Sequence, residues 1–219
     1  IRPDSSSLAE VFNTISFAHA DLSGVVLDNF NLDGVDLNHA RLDEVEMNHV
    51  SFENANLMEA SIGNSQFIHC NFRGADVTKS SATWSYFNDC DLRELTANGA
   101  NFSSAEIMDC KLDRASFKWG DFSSALVNQS NLLAADFFEA KLNQTSFSIS
   151  TMDSARLRSA ELDQAAFIGT SLKGCEVGDN WFDQLDKWEV SGREEIIKHE
   201  VKELENSTPE SKKFMLIVK

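Results

Sequence analysis

Every fifth residue of this chain is large and apolar. From Phe12 to Phe182 there are 35 such positions, and 33 of them are Leu, Phe, Met, Ile or Val; the exceptions are Ala82 and Ala97. No insertion or deletion breaks the register. Two residues before each large position the chain prefers a small one, as at Ala20, Ala40, Ala55, Ala60, Ala75, Ala100, Ala105 and Ala115, and the residue between them is usually polar. A period of five fits neither the roughly 3.6 residues of a helix nor the about two of a strand. Self-similarity at fixed spacing is instead the mark of a solenoid, in which each repeat buries its apolar side only by stacking on its neighbours.

The segments ADLSG (20–24), FNLDG (30–34), CNFRG (70–74) and ANFSS (100–104) resemble pentapeptide-repeat sequence, and the resemblance runs over residues 10–184. It implies an all-β solenoid: a right-handed quadrilateral β-helix with four pentapeptides to a coil, the central Leu or Phe and the small residue two before it pointing inward. A narrow square tube holds one large and one small side chain per face, which fills it at interior density. The expected core stack includes Leu22, Leu42, Phe72, Phe87, Phe102, Phe122 and Leu142, with residues 20 apart directly superposed. At about 4.8 Å per coil, just under nine coils give a rod about 42 Å long.

Both prolines, Pro3 and Pro209, lie outside the repeats, as expected where backbone donors are committed to a ladder. Open ends of such a rod would expose a sheet edge and core. Residues 1–9 read as an N-terminal cap, with Ser7 and Glu10 in capping-box spacing. Residues 10–184 read as the β-helix. Residues 185–219 read as a C-terminal α-helical cap and the start of the next domain: Ser191 and Glu194 repeat the capping box, and Ile197, Val201 and Leu204 share a helical face. Trp181, Leu185 and Trp188 are expected to seal the last coil. Thr208 and Pro209 open a further helix that stops inside FMLIV, so the sequence reads as an excerpt of a longer protein.

A net charge of -16 argues against nonspecific binding to nucleic acid or anionic membrane, and no run of 18 apolar residues spans a bilayer. The chain offers no nucleophile with a base and no break in register that would build a pocket, so no catalytic residue is assigned to this segment. Cys70, Cys90 and Cys110, spaced by 20, form an inward ladder, with Cys175 in the small column of another face. Three sulfurs in a line do not make the tetrahedron zinc wants, and the thiols read as small apolar filler. His19 and His39 stack in one corner column with Glu59, and His49 and His69 in another with Asp89 and Asp109. These read as hydrogen-bonded corner residues, and neither metal nor cofactor is assigned.

The surface carries the functional expectation. Ile68, Tyr86, Met108, Leu126, Ile149 and Ile168 fall on one face in successive coils, Trp84 on a neighbouring corner, and Met58, Trp119 and Phe138 on another face. A contiguous apolar ridge is a docking feature; the assigned partner-binding residues are Ile68, Trp84, Tyr86, Met108, Leu126, Trp119 and Phe138. Arg73, Arg93, Lys111 and Arg114 make a basic spot, interleaved with Asp91, Glu94 and Asp113 as a self-paired surface.

The order of repeat followed by helices resembles the N-terminal region of the bacterial HECT-like effector ubiquitin ligases of the SopA/NleL type. That resemblance implies a recruitment module secreted by the type III route into a host cell. Its partners would be host proteins, RING-type ligases among them, with the E2 site and catalytic Cys elsewhere in the parent. The alternative is an acidic DNA mimic acting on type II topoisomerase, such as gyrase. Residues 21–59 hold nine acids against one base, but the middle coils are mixed.

Overall fold

The computed structural model describes residues 16–178, Trp181, His199–Glu203 and Phe214–Val218. Residues 16–178 form an all-β right-handed solenoid. One face carries eight short strands, β1 (Val26–Asp28), β2 (Glu46–Asn48), β3 (Gln66–Ile68), β4 (Tyr86–Asn88), β5 (Glu106–Met108), β6 (Leu126–Asn128), β7 (Ser146–Ser148) and β8 (Ala166–Ile168). They pair in parallel and in sequence order, each residue with the one 20 ahead, as in Leu27↔Met47 and Phe67↔Phe87. The other three faces keep the same register through single bridges such as Asp21↔Arg41, Asn31↔Ser51 and Asp36↔Asn56. The eight-stranded face spans about seven turns, fewer than the nine coils expected. The larger count included repeats at Phe12 and Phe182, which lie outside the described residues, as do the 1–9 cap, Leu185 and Trp188.

Corners are set by the residue two after each large apolar one. Every fifth residue from His19 to Gly174 has a positive φ, whether it is Gly24 (70°), Asn54 (56°), Trp84 (59°) or the β-branched Ile149 (51°). The Ala55 N–H donates to the Phe52 carbonyl across Asn54 at 3.0 Å, the geometry of a type II turn. A left-handed conformation is costly for Trp or Ile, but the ladder over-determines it: the Asn54 N–H is held by the Arg73 carbonyl at 3.0 Å and the Trp84 N–H by the Ser103 carbonyl at 3.2 Å.

The corner after the strand face is closed differently. There the turn bond is absent at Cys90, Cys110, Ser130 and Ser150, whose N–H groups bond to side chains instead, as the Val45 N–H does to Ser65 Oγ at 3.1 Å on the corner before that face. Those four donate to Cys110 Sγ (3.4 Å), Ser130 Oγ (3.1 Å), Ser150 Oγ (3.2 Å) and Thr170 Oγ1 (3.4 Å) of the next coil. The same groups donate onward, Cys90 Sγ to the Phe67 carbonyl and Ser130 Oγ to that of Asn128. The cysteines are small and buried as read, and Cys110 in addition accepts a backbone donor that the corner leaves over. Hydrogen bonds with Cys110 and Cys70, and burial, push the Cys90 thiol up, so it stays protonated and donates. Ser130→Ala should cost about 1–3 kcal/mol, the penalty of an unsatisfied buried N–H, while Ser130→Cys should cost less than about 1 kcal/mol. Equal denaturation midpoints for Ser130→Ala and wild type would contradict this account.

The core is a continuous column of large side chains. Phe52, Phe72, Phe67, Phe87, Phe102, Phe122 and Phe137 are buried, and rings one coil apart stack at 4.7 to 5.4 Å, as in Phe52–Phe72, Phe67–Phe87, Phe117–Phe137 and Phe147–Phe167. Rings on adjacent faces meet edge to face, as Phe117 and Phe122 do. Leu42 and Leu142 are buried as expected, while Leu22 is only partly buried and borders an apolar cavity of about 140 Å³ in the first coil, with Phe17, Leu27, Phe30 and Met47.

The C-terminal elements overturn the helical expectation. Val201 lies in β10 (His199–Glu203), and the FMLIV run is β11 (Phe214–Val218), not a helix. β11 pairs antiparallel with β10 and with β9 (Glu176–Val177), the last described strand of the solenoid. The physical reason is the ladder itself. An unpaired edge at the last coil has backbone donors and acceptors to fill, and a strand fills them while a helix, whose backbone bonds are internal, does not. Leu216 and Trp181 are buried.

Candidate protein-docking face

The strand face is flat, and its outward residues sit on either side of the inward core position of each strand. Ile68, Tyr86, Met108 and Leu126 occupy alternating sides in β3, β4, β5 and β6, and so form a zigzag along the rod. Ile68, Tyr86 and Met108 are half-buried and Leu126 is 46% exposed. The row continues after the small serines of β7, whose hydroxyls lie 3.1 Å apart, to the exposed Ile168. Trp84 and Ile149 stand on the two corners bounding this face, 69% and 67% exposed, each on a backbone fixed at positive φ. Trp84 is thus a rigidly presented aromatic.

The second expected apolar cluster lies off this face. Trp119 and Phe138 meet each other on another face and corner, ring centroids 6.4 Å apart, with the Trp119 indole N–H donating to Glu139 at 3.0 Å. Met58 shares the column of Phe138 but is separated from it by Thr78, Asn98 and Lys118. Val26 and Leu133 are exposed apolar residues that the sequence reading missed. Nothing in the five-residue pattern distinguishes them from other outward positions.

Charge is partitioned by face, which folding the sequence at 20 makes visible. Among the described residues, no Lys or Arg lies on the strand face or on its two bounding corners. Those positions carry Asp28, Glu44, Glu46, Asp89, Glu106 and Asp109. Among the described residues their only ion pairs are with histidine, His49–Asp28 at 3.8 Å and His69–Asp89 at 3.0 Å. Each of the other faces holds Lys or Arg and pairs some of its acids with them, as in Arg41–Asp21 at 3.1 Å, Arg73–Glu94 at 3.3 Å, and Arg156 between Asp136 (2.7 Å) and Glu176 (3.2 Å), while others such as Glu53 and Asp113 are bonded to Asn side chains. The expected self-paired basic spot is present, with Arg93 chelated by Asp91 and Asn131 bonded to Asp113.

The histidine columns are also as read. His19 and His39 stack at 4.9 Å, with His39 3.4 Å from Glu59, and His49 and His69 tilt against each other at 4.8 Å. Among the described residues no three His, Cys, Asp or Glu side chains converge on a point that holds a metal ion, and no helix is long and apolar enough to cross a membrane.

The architecture is therefore that of a parallel β-solenoid with one face that is free of Lys and Arg among the described residues. Models of the pentapeptide repeat region match residues 43–117, and of pentapeptide repeats in eight copies residues 15–54 and 135–174. The chain belongs to the pentapeptide-repeat proteins. No curated protein matches it. Solved structures similar to it include a trypsin-treated variant of QnrB1, a plasmid-mediated fluoroquinolone resistance protein, at 17% identity over 76% of this chain and 96% of that one, TM-score 0.43. Rfr23 of the cyanobacterium Cyanothece 51142 is 18% identical over 52% and 88% of the two chains, TM-score 0.43. HetL of the cyanobacterium Nostoc, involved in the regulation of heterocyst differentiation, is 19% identical over 80% and 97%, TM-score 0.23.

Proposed function

We propose that this solenoid is a protein-recruitment module that docks a partner on its strand face. One observation carries the reading: Ile68, Tyr86, Met108 and Leu126 form a continuous outward-facing zigzag on one sheet, half-buried at the first three and exposed at Leu126, and contiguous apolar surface marks interaction sites when it is large. In the setting suggested by resemblance, the parent is a secreted HECT-like effector ubiquitin ligase, the partners are host proteins such as RING-type ligases, and the E2 enzyme binds outside this chain. Strands β10 and β11 stand where that resemblance placed helices, so the parent class rests on the repeat alone. The double variant Tyr86→Ala/Met108→Ala should lose at least about tenfold in affinity for captured partners, because two half-buried anchors at an interface contribute more than about 1.4 kcal/mol together. Unchanged capture from host lysate by the double variant would retire the face.

A second reading, an acidic DNA mimic acting on gyrase, is favoured by the first coils, where nine acids face one base over residues 21–59. Inhibition of gyrase supercoiling by this chain, undiminished in the Tyr86→Ala/Met108→Ala variant, would support it in place of recruitment.

A further inference from the structure

We infer that the partner of the strand face is a basic amphipathic polypeptide segment, with Lys or Arg flanking an apolar row, lying along the rod axis. This rests on the docking reading above and names the chemistry of the occupant. Glu106 sits between Tyr86 and Leu126 in one outward column, since it pairs in register with both, and Asp109 is the corner residue immediately after Met108. Asp89 stands one coil earlier on the same corner. The apolar zigzag is thus bordered by carboxylates that no Lys or Arg of the described chain neutralises. Asp89 meets His69 and Asp109 accepts from the Gln129 amide at 3.1 Å, whereas on each of the other faces some carboxylates, such as Asp21, Asp91 and Asp136, are held by Arg. An apolar partner without charge would leave Glu106 and Asp109 desolvated at the contact, and an acidic one would meet like charge; both cost affinity. A cationic segment meets its apolar row with the zigzag and its charges with Glu106, Asp89 and Asp109, and the exposed Trp84 offers a ring face to a further cation. The same charge pattern excludes a second copy of this chain through this face, because two cation-free acidic surfaces would oppose each other.

The test uses the full chain and three synthetic strands of equal length, alternating Leu with Lys, Leu with Ser and Leu with Glu, plus oligolysine, with binding followed by fluorescence anisotropy at two salt concentrations. The Leu/Lys strand should bind at least about fivefold tighter than Leu/Ser, the effect of two or three partly exposed ion pairs, and more so at low salt. Glu106→Gln/Asp109→Asn should remove that advantage and leave Leu/Ser binding unchanged. Asp121→Asn/Glu161→Gln, on another face, should change neither. Tyr86→Ala/Met108→Ala should weaken Leu/Lys and Leu/Ser alike. Equal affinities for Leu/Lys and Leu/Ser, both sensitive to Tyr86→Ala/Met108→Ala, would overturn the basic-partner inference and leave the docking face standing. Oligolysine binding as tightly as Leu/Lys would reduce the effect to the net charge of the rod and overturn it too. Binding of no strand at all would overturn both.

Discussion

Phe102→Ala is expected to lose about 4 kcal/mol of stability, near the upper part of the range for an aromatic truncation in a packed core. Phe102 is 2% exposed; its ring stacks on Phe122 at 5.0 Å and meets Phe117 edge to face at 5.9 Å and Phe87 at 6.1 Å. What makes this ring critical is the residue beneath it. In the same column one coil earlier stands Ala82, the small side chain that breaks the run of large ones, fully buried. Truncation at 102 would put two alanines in succession in a tube whose walls are tied coil to coil by hydrogen bonds such as Phe102 N–H to Asp121 O at 2.7 Å. The walls cannot collapse into the void, and it is the uncollapsed part of a cavity that sets the cost. Phe102→Leu keeps most of the volume and should cost about 1 kcal/mol. Because stability in a solenoid is close to a sum of repeat and neighbour contributions, the loss should also be local. Amide exchange should accelerate most in the coils holding residues 82–122, with less change beyond residue 150. A chemical denaturation difference below about 2 kcal/mol, or a uniform rise in exchange along the rod, would contradict this packing account.

The interior was legible because its period is independent of context. Inward columns repeat every five residues, and stacking at 20 follows from four sides, so Leu42, Phe72, Phe87, Phe102, Phe122 and Leu142 are buried as expected. What failed were features in which the end of the ladder outweighs local pattern. TPESKKFMLIVK carries a genuine helix-start signal at Thr208 and Pro209, and a five-residue apolar run has no period long enough to choose between helix and strand. The unfilled edge at β9 decides it, and that edge is visible only in the folded coil. The column of Cys70, Cys90, Cys110, Ser130, Ser150 and Thr170 was legible as small and inward. Its hydrogen-bonding role was not, because the missing turn bond belongs to a corner geometry that the pattern of large residues does not encode.

The docking face was half legible. The apolar ridge, and the separate position of Trp119 and Phe138 on another side, could be read by folding the sequence at 20. The segregation of charge is hidden in the linear order. Arg73, Lys79, Arg93 and Lys111 are interleaved with Glu106, Asp89 and Asp109 along the chain, and a window-based reading averages them into a mixed surface. Only the assignment of each to a face separates them.

Leu216→Asp is the second large effect expected, about 3 kcal/mol or more, concentrated at the C-terminal end. Leu216 is fully buried; its N–H donates to the Cys175 carbonyl at 2.8 Å and its carbonyl accepts the Gly174 N–H at 2.7 Å, so β11 closes the last coil by backbone and side chain together. Burying a carboxylate there without a cation costs more than undocking the strand, so β11 should leave. Its departure would bare the edge at β9 and the end of the core near Leu172 and Cys175, which are buried with it in place. An exposed parallel-sheet edge with apolar neighbours is a template for pairing with another chain, so the variant should also self-associate as concentration rises. Leu216→Met, which keeps an apolar contact of similar size, should cost less than about 1.5 kcal/mol and remain monodisperse. The measurements are amide exchange at Gly174 and sedimentation velocity over a concentration series. Protection at Gly174 retained in Leu216→Asp, together with an unchanged sedimentation coefficient, would show that β11 is a peripheral addition and that the solenoid end is sealed by other residues. Loss of protection at Gly174 with the coils before residue 150 unaffected would instead establish β11 as the stopper of the ladder, because a one-dimensional stack transmits the damage only to its nearest coils.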